Sequence, residues 1–209
     1  MRASLGVCFA VLVAVLVGCG GGGSVARAEP AAQKPTAAAC PAKWRAGWQR
    51  LANRIQAPVY CPRWMPNPLD ARIGGQWDDI FSVDRKDRSY LVSFLSHDQS
   101  GDVHVNFRGY PGRMRIPTCK TVEVENGKAR RGTTPCFADP RGTRRAGSIV
   151  ATVYTVNQDA DQWHVLYAWR LRGSLYTISE HVIRPYTYRQ VVSNLDRLLR
   201  SLVVVEPAV

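Results

Sequence analysis

The sequence has no apolar run long enough to cross a bilayer. Its one long candidate, Leu5–Val17, falls short of the about 20 residues that a spanning helix needs. There is no CxxC pair, the spacing that marks zinc-finger and ribbon sites, and this sets structural zinc aside. There is no GxSxG, so no nucleophile elbow of the α/β-hydrolase kind is encoded. Asp159 and Asp161 stand without the rest of an EF-hand loop. No internal repeat is present. Acids are scarce: 16 Asp and Glu face 28 Lys and Arg, for a formal net charge of +12. Such a balance bears on solubility and partners rather than on fold.

The short apolar run follows a single Arg and has the size of a signal-peptide core. It ends in Leu16-Val17-Gly18-Cys19. This resembles the lipobox of bacterial lipoproteins, in which the Cys becomes lipidated and forms the new N-terminus. The resemblance implies a signal peptide over residues 1–18, lipidation of Cys19, and a chain held at the outer face of a bacterial cell membrane. Ala26-Arg27-Ala28 is a rival small-x-small cleavage site, under which the protein would be secreted or periplasmic. Both readings put the mature chain outside the cytoplasm. Residues 19–39, rich in Gly, Ala and Pro and without apolar periodicity, read as a disordered tether to a single domain over residues 40–206.

An oxidising compartment makes disulfides expected. Of the six cysteines, Cys8 lies in the signal segment and Cys19 at the lipobox. Cys40, Cys61, Cys119 and Cys136 remain, and four cysteines allow three pairings. Cys40 with Cys61 and Cys119 with Cys136 close two short local loops, each worth about 3 kcal/mol in the chain-entropy view.

The domain is organised around Gly147–Leu202, which reads strand, strand, strand, helix. Ser148–Asn157 is rich in β-branched and aromatic residues. In Trp163–Leu171, Trp163, Val165, Tyr167, Trp169 and Leu171 share one face by period 2, and His164, Leu166, Ala168 and Arg170 share a second face that is only partly polar. Arg172-Gly173 supplies a turn to the strand Ser174–Val182. Thr187 and Gln190 have capping-box spacing, with Tyr186 and Val191 placed for a hydrophobic staple. Val191, Val192, Leu195, Leu198, Leu199 and Leu202 then form a helical apolar stripe.

Upstream, Pro41–Gln56 is a second amphipathic helix with Trp44, Trp48, Leu51 and Ile55 on one face. The two Trp suit either a membrane interface or a packed core, and a Cys40–Cys61 staple favours the core. Pro58–Pro68 must be extended. Asp79–Val83, Ser89–Ser96 and Val103–Arg108 read as strands. In the last, Val103, Val105 and Phe107 are expected inward and His104, Asn106 and Arg108 outward. Asn126-Gly127, between Thr121–Glu125 and Lys128–Arg130, is the strongest hairpin signal. Gly132–Gly147 lacks periodicity and reads as a loop. The expected fold is α+β: an antiparallel meander of about six to eight strands with an amphipathic helix at each end. It is similar to extracytoplasmic α+β domains of the LolA and PsbP type. The likeness rests on the terminal strand-strand-helix, the Pro-rich entry and the element order, and it carries no functional residue over.

Three constellations bear on function. Ser179 and His181 stand on one strand face, around Glu180, without the sharp turn a nucleophile needs, and read as a polar solvent face. His97, Asp98, Asp102 and His104 bracket one hairpin loop, where Asp more often serves turn geometry than a metal, so no metal or cofactor is assigned. Lys128, Arg130, Arg131, Arg141, Arg144 and Arg145 fall within eighteen residues against one acid, Asp139. Arg suits phosphate and carboxylate, and the compartment argues against nucleic acid. The reading is a membrane-anchored, non-enzymatic lipoprotein whose basic loop meets an anionic lipid, a wall polymer or an acidic protein. The alternative is a secreted hydrolase or metal-dependent enzyme, for which no nucleophile–base–orienter set is visible.

Overall fold

The computed structural model describes residues 39–69, 83–96, 103–156 and 163–208. They form an α+β domain in the order α1 (Ala42–Ile55), β1 (Val59–Pro62), β2 (Tyr90–Leu95), β3 (His104–Tyr110), β4 (Thr118–Glu125), β5 (Lys128–Pro135), β6 (Gly142–Ala146), β7 (Ile149–Val156), β8 (His164–Leu171), β9 (Ser174–His181), α2 (Tyr188–Ser201) and β10 (Leu202–Val205). Six strands make one antiparallel sheet, β2-β3-β9-β8-β7-β6. The consecutive strands β6 to β9 form a meander, and β3 pairs with β9 so that the β2–β3 hairpin extends the sheet.

Both helices cover one face of this sheet. In α1, Trp44, Trp48, Leu51 and Ile55 are buried. Trp44 meets Phe94 edge-on at 5.1 Å and Trp48 meets Phe107 at 5.8 Å, so the core reading of these Trp holds. In α2, the Thr187 side chain accepts from the Gln190 backbone N–H while the Gln190 carboxamide accepts from Thr187 N–H, a complete capping box. Val191, Leu195, Leu198 and Leu199 are buried against Val165, Tyr167, Tyr176 and Ile178 in the same core.

Leu202 leaves the helix instead of ending its stripe. With Val203–Val205 it forms β10, which pairs with β1 from Val59↔Val205 to Pro62↔Leu202. The β-branched run suits a strand, and the Pro-rich entry supplies an extended partner. The disulfide Cys40–Cys61 ties β1 to the start of α1. The second disulfide is Cys119–Cys136. Two disulfides mark a protein of an oxidising, extracytoplasmic environment. Among the described residues no helix is long and apolar enough to cross a membrane.

The second face of the sheet is more covered than its sequence suggests. Phe137 packs on Tyr154 at 4.9 Å and with Val156, Leu166, Ala168 and Leu175 forms a smaller apolar cluster. His164 to Trp169 are all buried, on both faces of β8. Asn106 and Ser179, expected on a solvent face, are also buried. Trp163, expected inward, sits in the turn before β8 at φ 60° and is 61% exposed. Gly132–Gly147 is not a loop throughout: β5 continues to Pro135 and β6 is the edge strand. Its small and charged residues hide any period, because an edge strand and a projecting hairpin bury little. Most of the expected strand Asp79–Val83 lies outside the described residues, although Val83 bridges Tyr90. The hairpin loop holding Asp98 and Asp102, and the stretch holding Asp159 and Asp161, also lie outside them.

Candidate functional site

The two-residue turn Asn126-Gly127, with φ 52° and 72°, has both centres in the left-handed region that a type I′ hairpin requires. It closes β4 on β5 as a two-stranded sheet of its own. Register runs from Glu125↔Lys128 to Thr118↔Pro135, and Cys119–Cys136 clamps the base. Side chains directly opposite one another share a face. One face therefore carries Glu123 with Arg130 and Glu125 with Lys128. Arg130 reaches Glu125 at 3.1 Å, and the charges there balance. The other face carries Lys120 with Thr133, Val122 with Arg131, and Val124 with Ala129. It holds two cations, no acid, and two strongly exposed valines, Val122 at 63% and Val124 at 73%.

The six basic residues singled out in the sequence are thus divided. Lys128, Arg130 and Arg131 lie on β5, while Arg141 adjoins and Arg144 and Arg145 lie on β6, the far edge of the main sheet. Phe137, buried between them, pins the crossing from arm to sheet. Arg144 pairs with Asp196 of α2 at 3.2 Å. Asp196 also accepts from the Tyr167 hydroxyl at 2.8 Å, and burial pushes that phenol up. Arg141 donates to the Thr155 hydroxyl at 3.4 Å. Arg145 alternates to the side of the sheet opposite Arg144.

No protein family, curated protein or solved structure matches this chain. The site must be read from its own chemistry.

The second concentration of functional side chains lies at one end of the buried sheet face. His164 is directly opposite His181 in the register of β8 and β9. His104 begins β3, one position before Val105, which pairs with Glu180. The three rings form a near-equilateral triangle, with centroids 4.8, 5.2 and 5.0 Å apart. His104 Nε2 and His164 Nε2 are 2.9 Å apart, one donating and one accepting. His164 is buried. His97, Asp98 and Asp102, considered with His104 in the sequence, lie outside the described residues. Among the described residues no three His, Cys, Asp or Glu stand in a ready metal-holding arrangement.

Ser179 shares this face, two residues along β9 from His181, and is buried rather than solvent-facing. Glu180 projects to the opposite face, by the alternation of a strand. Its Oε1 accepts from Asn194 Nδ2 of α2 at 2.7 Å, and its Oε2 has no hydrogen-bond partner among the described residues. Burial pushes its carboxyl up to about 8, against the opposing pull of the Asn194 hydrogen bond. Ser179 and His181 therefore do not have Glu180 as an orienting acid.

Sequence reasoning missed Lys120, Val122 and Val124 of the arm, and the meeting of His104 with His164 and His181. The first group was recoverable: counting outward from the Asn126-Gly127 turn pairs Val122 with Arg131. The second was not, because it depends on β3 lying beside β9.

Proposed function

We propose that this protein is an extracytoplasmic lipoprotein, held at a membrane through a lipidated Cys19, whose β4–β5 arm binds the anionic phospholipid surface beside its anchor. The role is one of binding rather than catalysis. The observation that carries the reading is the acid-free arm face, Lys120 and Arg131 around Val122 and Val124. Each cation near an anionic leaflet contributes about 1 kcal/mol, and burial of a valine in the interface adds up to about 1.5–3 kcal/mol. That sum is weak for a free protein. A lipid on Cys19 raises the local concentration of the arm at the same surface and makes weak contacts effective. The disulfide at the base of the arm limits the conformational entropy lost on docking. Lys128 and Arg130 are poorer contributors, because Glu125 and Glu123 already oppose them. Arg144 is engaged with Asp196.

The test uses the unacylated chain from Gly20 onward, sedimented with anionic and with neutral vesicles. Retention on anionic vesicles is expected to fall steeply as salt rises, since the screening length drops from about 10 Å at 0.1 M to about 3 Å at 1 M. A Lys120→Glu/Arg131→Glu variant is expected to lose this retention. A Val122→Ser/Val124→Ser variant should lose the salt-resistant remainder, and Arg130→Glu should change less than either. Exposed changes of this kind leave thermal stability nearly intact, so loss of binding cannot be put down to unfolding. Equal retention of wild type and the charge-reversed variant would remove the arm from the reading. The anchor is tested separately. Cys19→Ala is expected to release the protein from membranes or block its processing, and unchanged attachment and mature mass would mean that Cys19 is not lipidated.

A further inference from the structure

We propose that Cys119–Cys136 is a redox site, opened by a dithiol while Cys40–Cys61 stays closed, and that its oxidation state holds or releases the β4–β5 arm. The two disulfides close loops of similar length, 21 and 17 residues. They differ in what surrounds them. Cys40 is 5% exposed, Cys61 is fully buried, and both belong to the main core. A thiol reaches that bond only after α1 or β1 leaves the domain. Cys119 and Cys136 are only half-buried. They stand at the base of an arm in which no residue of either strand is buried. Thiol–disulfide exchange needs access to a sulfur, and exposed disulfides are the labile ones.

The charge at the base of the arm favours the same reaction. Residues 109–122 and 129–138, which carry the two cysteines, hold Arg113, Arg115, Lys120, Arg130 and Arg131 and no acid. Positive surroundings stabilise both the thiolate that attacks and the one that departs. A thiolate of the dithiol attacks one sulfur of the pair, and the S–S bond breaks. A mixed disulfide forms with the attacked cysteine, and the other cysteine leaves as a thiolate that takes up a proton. The second thiol of the reductant then closes its own disulfide and frees the attacked cysteine. Two electrons pass from the dithiol to the pair, and both cysteines end as thiols. The bond they lose is what orders the arm. A two-stranded hairpin by itself is marginally stable in water, and β4 and β5 form a sheet of their own. Neither strand packs extensively on another element. With the disulfide gone, the base keeps its ladder and the Cys136 N–H donating to Pro117 O at 2.8 Å. The six-stranded sheet has its own core and does not depend on this bond.

The probe is dithiothreitol, added without denaturant to the full chain carrying Cys8→Ser and Cys19→Ser, so that only the cysteines of the domain react. Freed thiols are trapped with iodoacetamide and assigned by peptide mass mapping. Cys119 and Cys136 are expected to be alkylated at least about tenfold faster than Cys40 and Cys61. Equal rates, faster opening of Cys40–Cys61, or no reaction at Cys119–Cys136 short of unfolding would each overturn the site. Hydrogen exchange on the selectively reduced protein reads the state of the arm. Amides of β4 and β5 should exchange at least about tenfold faster than in the oxidised protein, with β7 to β9 unchanged. A Cys119→Ser/Cys136→Ser variant should match the reduced form. Unchanged protection of the arm in both would show that the bond does not hold it. Loss of vesicle retention on reduction is expected as well, and this one readout rests on the arm reading of the proposed function. If the oxidised protein itself does not bind vesicles, that reading fails, while alkylation and exchange still decide the redox site.

Discussion

Trp48→Ala is expected to destabilise the protein by about 3–5 kcal/mol, the range for removing a large aromatic from a packed core. Trp48 is fully buried on α1. Its ring meets Phe107 of β3 edge-on, and Phe107 in turn meets Phe94 of β2 at 5.6 Å. The indole therefore fills the space between helix and sheet, and Ala would leave a cavity lined by two aromatic rings that cannot collapse into it. One feature tempers the loss. The buried Trp48 Nε1 has no hydrogen-bond partner among the described residues, so the native residue already carries a desolvation cost of about 1–3 kcal/mol. Trp48→Phe, which deletes that N–H and keeps most of the ring, is expected to cost much less than Trp48→Ala. Urea unfolding of the three proteins measures both differences. A loss below about 1 kcal/mol for Trp48→Ala would mean that α1 is not docked on the sheet, and would reopen a membrane-interface role for Trp44 and Trp48.

The pH dependence of stability should carry the mark of Glu180. Its carboxyl has an ordinary value of 4.5 and is pushed up to about 8 in the fold, first by burial. Below pH 4.5 it is protonated in both states and contributes no pH-dependent term. Between 4.5 and 8 the unfolded chain ionises while the folded chain holds its proton, so stability falls as pH rises, by at most about 1.4 kcal/mol per pH unit. Above 8 both states are ionised and the loss is complete, several kcal/mol at the upper bound. Glu180→Gln keeps the shape, keeps an oxygen for Asn194 and cannot ionise. The variant should match wild type within about 0.5 kcal/mol near pH 4 and exceed it by about 3 kcal/mol or more near pH 8.5. Chemical unfolding of the pair across this range gives the difference directly, and titrations common to both proteins cancel. A difference that does not change with pH would show that Glu180 is hydrated or paired in solution.

Glu180 also shows why a sequence reading stops where it does. Within Ser179-Glu180-His181 the period-2 pattern correctly separates Glu180 from its two neighbours. It cannot say which side is drier. The side holding Ser179 looked polar and wet, yet Ser179 and Asn106 are buried. The side holding Glu180 lies under α2, where Asn194 meets it. Burial depends on what packs against a face, and that partner is remote in sequence. The basic run has the same history. Lys128 to Arg145 is one cluster along the chain but two surfaces in space, because β5 belongs to the arm and β6 to the edge of the sheet.

By itself the sequence determined what neighbours along the chain can decide. The apolar stripes of α1 and α2, the Thr187–Gln190 capping box, the strands β7 to β9, and the Asn126-Gly127 turn all rest on spacings of two to four residues, and each is present. So are the disulfides Cys40–Cys61 and Cys119–Cys136, which close loops of 21 and 17 residues, since short loops cost little entropy to close. Tertiary structure alone decided which strand lies beside which. It turned Leu202–Val205 from the end of a helix into a strand against β1, some 140 residues away. It set β3 against β9, and so brought His104 within reach of His164 and His181. Each strand offers the same hydrogen-bonding edge to any other, so local pattern leaves the choice of neighbour open. The choice falls to the packing of the whole core, where the observed strand order covers the apolar faces of both helices.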